Sequence, residues 1–258
     1  MSFIKKLRWL WALMICMFIP AAAFAQSLEI ADSIGGMQVY PQGAQQEQAV
    51  YWFRYEYPQF VAQTSMDQTI NAYYQAMRDD LSAFLMPQSV EEQLTLHEPG
   101  EPSYYIDLSY QVTANTASYL SVTLTSQQFL GYSQSDRIEA NVFARDGVYA
   151  GQLVSLSQVM GLEQEGDEFD ARASYASQLV YKLVWKIMEE QQASQQKDFF
   201  EGLTRADAEA AFHPETDFYI DIDDNLVFFI QAGIVSSEVE GILAYPFSRA
   251  ELLTAVKE

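Results

Sequence analysis

Two successive stretches that alternate between apolar and polar residues constrain the fold of this chain most. In the first stretch every second residue is large and apolar: Tyr104, Ile106, Leu108, Tyr110 and Val112. The second stretch repeats the pattern at Leu120, Val122 and Leu124. A period of two is typical of a strand with one buried face, and Asn115 between the stretches favours a turn. The sequence therefore predicts a β-hairpin in the middle of the chain.

Further strands are predicted on both sides of this hairpin. The run AVYWFRYEY before Pro58 is rich in the aromatic residues that strands favour. The turn-forming pair Asp146-Gly147 is expected to join two more strands. The predicted strands cover residues 28–39, 49–57, 137–144 and 148–156.

Two long helices interrupt these strands. One is expected from a capping box at Ser65 and Gln68 to Pro87, which should end it. The second is expected from about Glu168 to Gln196, and a short helix from Thr204 to Phe212 follows. This order predicts an α+β fold, an antiparallel sheet with two long helices packed on it, arranged as two intimately packed subdomains. We expect the subdomains to span residues 26–150 and 151–258.

The first 25 residues have the features of a secretory signal peptide. Three basic residues precede an apolar run from Trp9 to Ile19, and Ala23-Phe24-Ala25 provides a small-x-small cleavage signal. An uncleaved anchor is the alternative, although a membrane span takes about 20 apolar residues. Lipidation of Cys16 fits less well, because the residues just before it are not small. We therefore expect a secreted or periplasmic protein that meets the membrane only transiently and has no cysteine after cleavage.

The charge of the chain is strongly negative. The whole chain carries −21, and loss of the predicted signal peptide would leave 11 basic against 35 acidic residues, a net charge of −24. Phosphate binding needs a concentrated basic surface, so this charge excludes nucleic acid as an expected partner. Two interpretations of the acidity remain open: solubility outside the cell, or steering of a cationic partner.

The stretch FYIDIDDNLVFFI from Phe218 to Ile230 places three aspartates, Asp221, Asp223 and Asp224, among large apolar residues. Asp223-Asp224-Asn225 separates two apolar runs, and these residue types tolerate left-handed backbone geometry, so the stretch predicts a second β-hairpin. A calcium loop is the alternative. The EF-hand pattern, however, needs a glycine where Leu226 stands and a glutamate where Ala232 stands.

Catalytic motifs are absent elsewhere in the sequence. There is no Gly-rich phosphate loop, no G-x-S-x-G and no H-E-x-x-H. Glu91-Glu92 and His97-Glu98 are metal-ligand types, but the sequence favours a solvated loop there. We therefore predict a protein that is not an enzyme and has no cofactor. An enzyme with two carboxylates remains the alternative, because no sequence spacing reveals such a pair.

The order of the elements resembles a known extracellular architecture. The segments that carry the resemblance are YPQF, INAYYQAMRDDL, SYQVTANTASYLSVTLTSQQF, NVFARDGVYAGQLVSLSQVMG and FYIDIDDNLVFFIQAGIVSSEVEGILAYPFSRAEL. Together they cover roughly residues 45–253. The chain resembles the paired extracellular domains of RsiV-type anti-sigma factors, which also precede the catalytic domain of PdaC-type peptidoglycan deacetylases.

This resemblance implies a non-catalytic interaction role at the bacterial cell envelope. In RsiV-type members the partner is host lysozyme, which is cationic and would complement an acidic protein. The chain has no sigma-binding segment ahead of its apolar run, so signalling through a sigma factor is not implied. The alternative function is that of an enzyme or glycan-binding accessory acting on cell-wall polymer. A purely structural role in the envelope is also compatible with the sequence. The sequence does not define the oligomeric state.

The loop after the second central strand differs from the family pattern and provides the candidate partner-binding residues. These residues are Phe129, Leu130, Tyr132 and Asp136. Aromatic residues beside a carboxylate could form a protein-binding surface. In the alternative interpretation, Phe129 and Leu130 complete the core and Tyr132 covers it.

Overall fold

The computed structural model describes residues 27–131, 134–162, 174–237 and 240–255, and the predicted signal peptide lies outside these ranges. The strands are β1 Ile30–Tyr40, β2 Tyr51–Phe60, β3 Tyr104–Asn115, β4 Tyr119–Phe129, β5 Gln134–Ala144, β6 Phe218–Ile220, β7 Asn225–Ile230 and β8 Leu243–Ser248. The helices are α1 Ser65–Asp80, α2 Met86–Leu96, α3 Leu156–Met160, α4 Tyr175–Ala193, α5 Arg205–Ala210 and α6 Arg249–Ala255. The predicted α+β fold is confirmed.

The strands form two sheets. The first has five strands in the order β1-β2-β3-β4-β5, and the second has three in the order β6-β7-β8. The prediction of an antiparallel first sheet is wrong at one pair, because β2 and β3 run parallel. The reason lies in the connection: α1 and α2 lie between these two strands, and a helical crossover returns the chain in the same direction. The central hairpin β3–β4 is antiparallel, as predicted.

The first long helix is more complex than its sequence pattern indicated. Its capping box lies one residue earlier than predicted, because the Thr64 side chain accepts from the Asp67 backbone N–H and Asp67 accepts from that of Thr64. Pro87 does not end the helical region. A π-helical segment, Leu81–Leu85, joins α1 to α2, and Pro87 lies in the first turn of α2, where its missing N–H is tolerated. Glu91 and Glu92 therefore lie in a helix and not in the predicted loop.

The two faces of the first sheet contribute to different cores, as the period-two pattern of its strands requires. The inner face packs on α1, and its core includes Phe53, Leu120, Val122, Phe143 and the helical Tyr74. The opposite face, which we call the outer face, contributes Ala114, Val142 and Ala144 to a second core. Val142 and Ala144 flank Phe143 on β5, so neighbouring residues of one strand point into different cores.

The second core joins the outer face to the C-terminal half of the chain. It is completed by α4 and by β6–β8, which supply apolar residues such as Val180, Val184, Phe218, Phe228 and Tyr245. On α4, Val180, Val184 and Met188 are buried in this core, and Leu183 and Ile187 are partly buried against it. The helix begins at Tyr175, and its predicted first turns at 168–173 lie outside the described residues.

The prediction of a strand at residues 148–156 is wrong. A 3-10 turn occupies Gly147–Tyr149, one isolated bridge pairs Phe143 with Leu153, and α3 begins at Leu156. Ser155 starts α3 with a capping box to Gln158, a signal that the apolar pattern concealed. No helix in the described part of the chain is long and apolar enough to cross a membrane.

Candidate functional site

The acidic stretch at 218–230 is a hairpin, as predicted. β6 and β7 pair antiparallel on either side of Asp221–Asp224. The Asp221 carboxylate accepts hydrogen bonds from the backbone N–H of Asp223 and Asn225, each at 2.9 Å, and from the Asn225 side chain at 3.0 Å. Asp224 has φ +62°, the left-handed conformation that aspartate tolerates. The Asp221 carboxylate therefore holds the turn together, and Asp224 occupies its left-handed position.

Asp217, which directly precedes this stretch, also has hydrogen-bond partners close in the sequence. It accepts from the backbone N–H of His213 at 2.6 Å and from the Thr216 hydroxyl at 3.3 Å. No group of three or more histidine, cysteine, aspartate or glutamate residues that could hold a metal ion occurs among the described residues. The hydrogen-bonded carboxylates of this region therefore stabilise local turns.

A buried carboxylate that the sequence did not single out is Glu215, which is 3% exposed. It accepts from the backbone N–H and hydroxyl of Ser157, at 2.9 and 2.6 Å, and from the hydroxyl of Ser174 at 2.5 Å. Ser174 caps α4 and Ser157 lies in the first turn of α3, so Glu215 fastens two helix starts together. It also borders a cavity of about 250 Å³ that reaches the outer face at Val142. Because both carboxylate oxygens accept hydrogen bonds, the group is suited to anchoring these helices.

A row of three aromatic residues crosses the outer face away from the second core. Trp52 on β2, Tyr105 on β3 and Phe129 on β4 are register partners across neighbouring strands. The row continues to Val39 on β1 and Gln134 on β5. All three rings are partly exposed. We call Trp52, Tyr105 and Phe129 the aromatic row.

The rings of the aromatic row stand on edge. Those of Trp52 and Tyr105 have centres 4.8 Å apart and planes within 8°, and those of Tyr105 and Phe129 have centres 6.2 Å apart. Two rings lying side by side in one plane could not have centres as close as 4.8 Å, so Trp52 and Tyr105 stack face to face. The aromatic row therefore presents ring edges to solvent, and much of the area of the ring faces is in contact with the neighbouring rings of the row.

A second row, of polar residues, lies beside the aromatic row on the same face. Its register partners are Arg54, Asp107, Gln127 and Asp136, which we call the polar row. Arg54 donates two hydrogen bonds to the Asp107 carboxylate, one of them at 2.8 Å from Nε. This hydrogen bonding raises the pKa of Arg54, although its side chain is half exposed. Asp136 Oδ1 is buried without a hydrogen-bond partner among the described residues.

The turn after β4 fixes the end of the aromatic row. Gly131 has φ +98°, and a Cβ atom there would lie 2.5 Å from the Tyr104 hydroxyl. That hydroxyl donates to Glu101 at 2.6 Å, which holds the Tyr104 ring in place. The Phe129 ring packs edge-on against Tyr104, with centres 6.2 Å apart. Gly131 thus allows the chain to leave β4 close to this anchored ring.

The candidate partner-binding residues fall in different places. Phe129 lies in the aromatic row and Asp136 in the polar row, so the structure brings these two onto one face. Leu130 is partly buried and packs against the core of the inner face. Phe129 is also partly buried against this core. Tyr132 lies outside the described residues.

Sequence reasoning missed the rest of this face. The residues between the buried positions of β2 and β3 are Trp52, Arg54, Tyr105 and Asp107, which alternation alone places on the solvent side of these strands. The signal was present in the pattern: two large aromatic residues occupied positions that alternation assigns to solvent. The face has aromatic edges, one ion pair and carboxylate and amide groups, which suits it to binding another molecule.

Comparison with known proteins concerns the fold. No protein-family model matches the sequence, and no curated protein matches it. A solved DUF3298 family protein from Pseudomonas aeruginosa PAO1 matches with TM-score 0.53 and 13% identity, over 89% of this chain and 94% of that one. A DUF3298 family member from Bacteroides fragilis NCTC 9343 matches with TM-score 0.50 and 13% identity, over 89% of this chain and 99% of that one. The chain has a DUF3298-like fold. At this level of identity the likeness carries no function.

Proposed function

We propose that this protein is a non-catalytic binding protein of the bacterial envelope, secreted or periplasmic, which recognises a cationic protein through the outer face of its first sheet. The observation that carries the proposal is the open aromatic row beside the polar row. Tryptophan, tyrosine and arginine dominate the binding energy of protein interfaces, and this face presents one or more of each at neighbouring register positions. The surface is therefore chemically of the kind that proteins recognise.

The charge of the chain supports a cationic partner. A net charge of −21 would accelerate association with a basic protein, and the polar row adds the carboxylates of Asp107 and Asp136 to the proposed binding face. The resemblance to RsiV-type extracellular regions suggests a cationic hydrolase, with animal-type lysozyme as the first candidate. The turn bonds of Asp217 and Asp221 support a role without catalysis.

Binding to lysozyme at several salt concentrations tests this proposal. We expect the chain from Gln26 onward to bind at low ionic strength and to bind more weakly as salt screens the opposite charges. Trp52→Ala or Tyr105→Ala should weaken binding by about tenfold or more, because central aromatic residues act as hot spots. Absence of binding at low salt would remove lysozyme as the partner.

A matched control separates the outer face from exposed aromatic surface in general. Phe200 is 46% exposed and lies outside both sheets, so Phe200→Ala removes a similar amount of aromatic surface elsewhere. We expect this variant to bind lysozyme as the unchanged protein does. An equal loss of affinity in Phe200→Ala and Tyr105→Ala would contradict the assignment of binding to the outer face.

A cell-wall glycan is the alternative partner. Sugar rings pack on the open face of an aromatic ring, whereas Trp52 and Tyr105 turn their faces towards each other. This geometry favours a protein partner. Co-sedimentation with purified peptidoglycan, together with measurement of released sugar or acetate, distinguishes the two. Sedimentation that is lost in Tyr105→Ala would favour the glycan.

A further inference from the structure

The two edges of the first sheet differ in how their backbones are covered. At the β5 edge, the Gln231 side chain accepts from Ile138 N at 3.0 Å and donates to Ile138 O at 2.6 Å. Further along this edge, Val154 N donates to Val142 O at 2.9 Å and Gly151 N donates to Ala144 O at 2.8 Å. The edge of β5 is therefore capped over much of its length.

The edge of β1 has no such cover among the described residues. No described strand lies beyond β1 in the sheet, although β1 is 11 residues long. Asp32 covers one position by accepting from Ser33 N at 2.9 Å. The side chains of Ile30 and Met37 are 47% and 42% exposed beside this edge. A long, unpaired edge of this kind is a template for another strand.

The composition of β1 also lacks the devices that normally block strand addition. Its sequence, IADSIGGMQVY, contains no lysine, arginine or proline, and its single charge is Asp32. The adjacent glycines have a packing role, since a Cβ atom on Gly36 would lie 2.8 Å from the Tyr55 hydroxyl. The register irregularity at Ile30 and Asp32 affects one end only. Most of the edge is therefore open to backbone pairing.

The charges around this edge indicate what it can accept. Between residues 27 and 62 the acidic residues are Glu29, Asp32, Glu47 and Glu56, and the one basic residue is Arg54. Arg54 is already bound to Asp107. An extended segment rich in lysine or arginine would complement this edge, whereas a second copy of the chain would bring two charges of −21 together.

We infer that the outer edge of β1 accepts an extended, basic segment of a partner protein as a sixth strand of the first sheet. Backbone hydrogen bonds along β1 supply the affinity, and the surrounding carboxylates select for positive charge. The added strand would extend both rows of the outer face, because Met37 and Val39 continue them on β1. The inference does not depend on the aromatic row, and it stands if that row binds nothing.

Two peptides of equal charge test this inference. One alternates lysine and valine, and the other has the same sequence with an N-methyl group on every backbone nitrogen, which blocks strand pairing at both edges of the peptide. We expect the first to bind the chain from Gln26 onward, measured by fluorescence anisotropy, and the methylated peptide to bind at least about tenfold more weakly. Equal binding of the two peptides, or binding of neither, would overturn the inference.

Substitutions and amide exchange locate the binding. Asp32→Lys should weaken the unmodified peptide, whereas Asp223→Lys, an equal charge change at the exposed tip of the β6–β7 turn, should not. Hydrogen exchange should slow at β1 amides when this peptide is added. Slowing confined to other strands, or a β1-mediated dimer in sedimentation, would contradict the proposal. Phe129 lies three strands away from β1, so Phe129→Ala should leave peptide binding unchanged. Failure of the β1-edge proposal and failure of the outer-face proposal are therefore separate results.

Discussion

The outer face of the first sheet has two halves that are built from the same strands in opposite ways. The covered half, against the second core, carries small residues: Ala114, Ser121, Thr123, Val142 and Ala144. The open half carries the aromatic row and the polar row. Small side chains allow the second sheet to approach, and Ser121 Oγ accepts from the backbone N–H of Ile220 on β6 at 3.0 Å. Large rings on the other half stand partly in solvent.

In this contrast, small polar residues are buried and large aromatic residues are partly exposed, which is the reverse of the usual arrangement. Polar residues such as Ser121 are fully buried, whereas Trp52 and Tyr105 remain partly exposed. Burial of a serine is stable only when its hydroxyl is hydrogen-bonded, and here Thr113 and Ile220 both bond to it. Stacking stabilises the aromatic rings without requiring them to stay in solvent, and their clustering on one partly exposed face is why we assign them to binding.

The largest expected effect comes from placing the same large residue in each half. Thr123 is 3% exposed, so Thr123→Trp forces a large ring into the covered half and should lower the free energy of unfolding by about 3 kcal/mol. Ser109 on β3 is exposed on the open half, and Ser109→Trp should change it by less than about 0.5 kcal/mol. Urea denaturation measures both. Equal losses would show that the two halves are packed alike.

The next effect concerns the hydrogen bonds of the covered half. Ser121→Ala would leave the backbone N–H of Ile220 buried without an acceptor and should cost about 2 kcal/mol. Thr125→Ala, four residues along β4 and only partly buried, is the matched control and should cost less than about 0.5 kcal/mol. Thermal unfolding of the two variants compares them. A negligible loss in Ser121→Ala would mean that β6 is not held by this bond.

The sequence predicted the elements of this fold better than its surfaces. Alternation showed that Leu120, Val122 and Leu124 share a face, and the turn-forming residues Asp223-Asp224-Asn225 predicted the second hairpin, because both signals depend on local chemistry. Alternation cannot show what covers the other face of a strand. Alternation places both Ser121 and Tyr105 on the solvent side of their strands. The position of β6 then decides that Ser121 is buried and Tyr105 is not.

The wrong predictions have the same cause. The parallel pairing of β2 with β3 depends on the path of two helices, and the continuation of helical structure past Pro87 depends on a π-helical segment. Glu215 was not singled out because its three donors come from Ser157 and Ser174, which are far away in the sequence. Neither the outer-face rows nor this anchor could be assembled without the register between strands and the packing between elements.

A smaller effect is expected from the stacking within the open half. A double-mutant cycle with Trp52→Ala, Tyr105→Ala and the double variant should give a coupling energy of about 1 kcal/mol in unfolding, as stacked aromatic pairs do. The same cycle on Trp52 and Phe200, which are not register partners, should give no coupling beyond experimental error. A coupling near zero for Trp52 and Tyr105 would mean that the rings do not stabilise each other.

The smallest expected effect is that of the ion pair in the polar row. The Arg54 side chain is 51% exposed and that of Asp107 is 17% exposed, so solvent and salt screen their attraction. Arg54→Met keeps much of the side-chain length but removes the charge, and it should lower the free energy of unfolding by only about 0.5 kcal/mol. The loss should shrink further in high salt, whereas the loss in Ser121→Ala should persist, because a buried hydrogen bond is not screened. Urea titrations of both variants at low and high salt measure this difference. A loss in Arg54→Met that equals that of Ser121→Ala and does not respond to salt would mean that the open half is as shielded from water as the covered half.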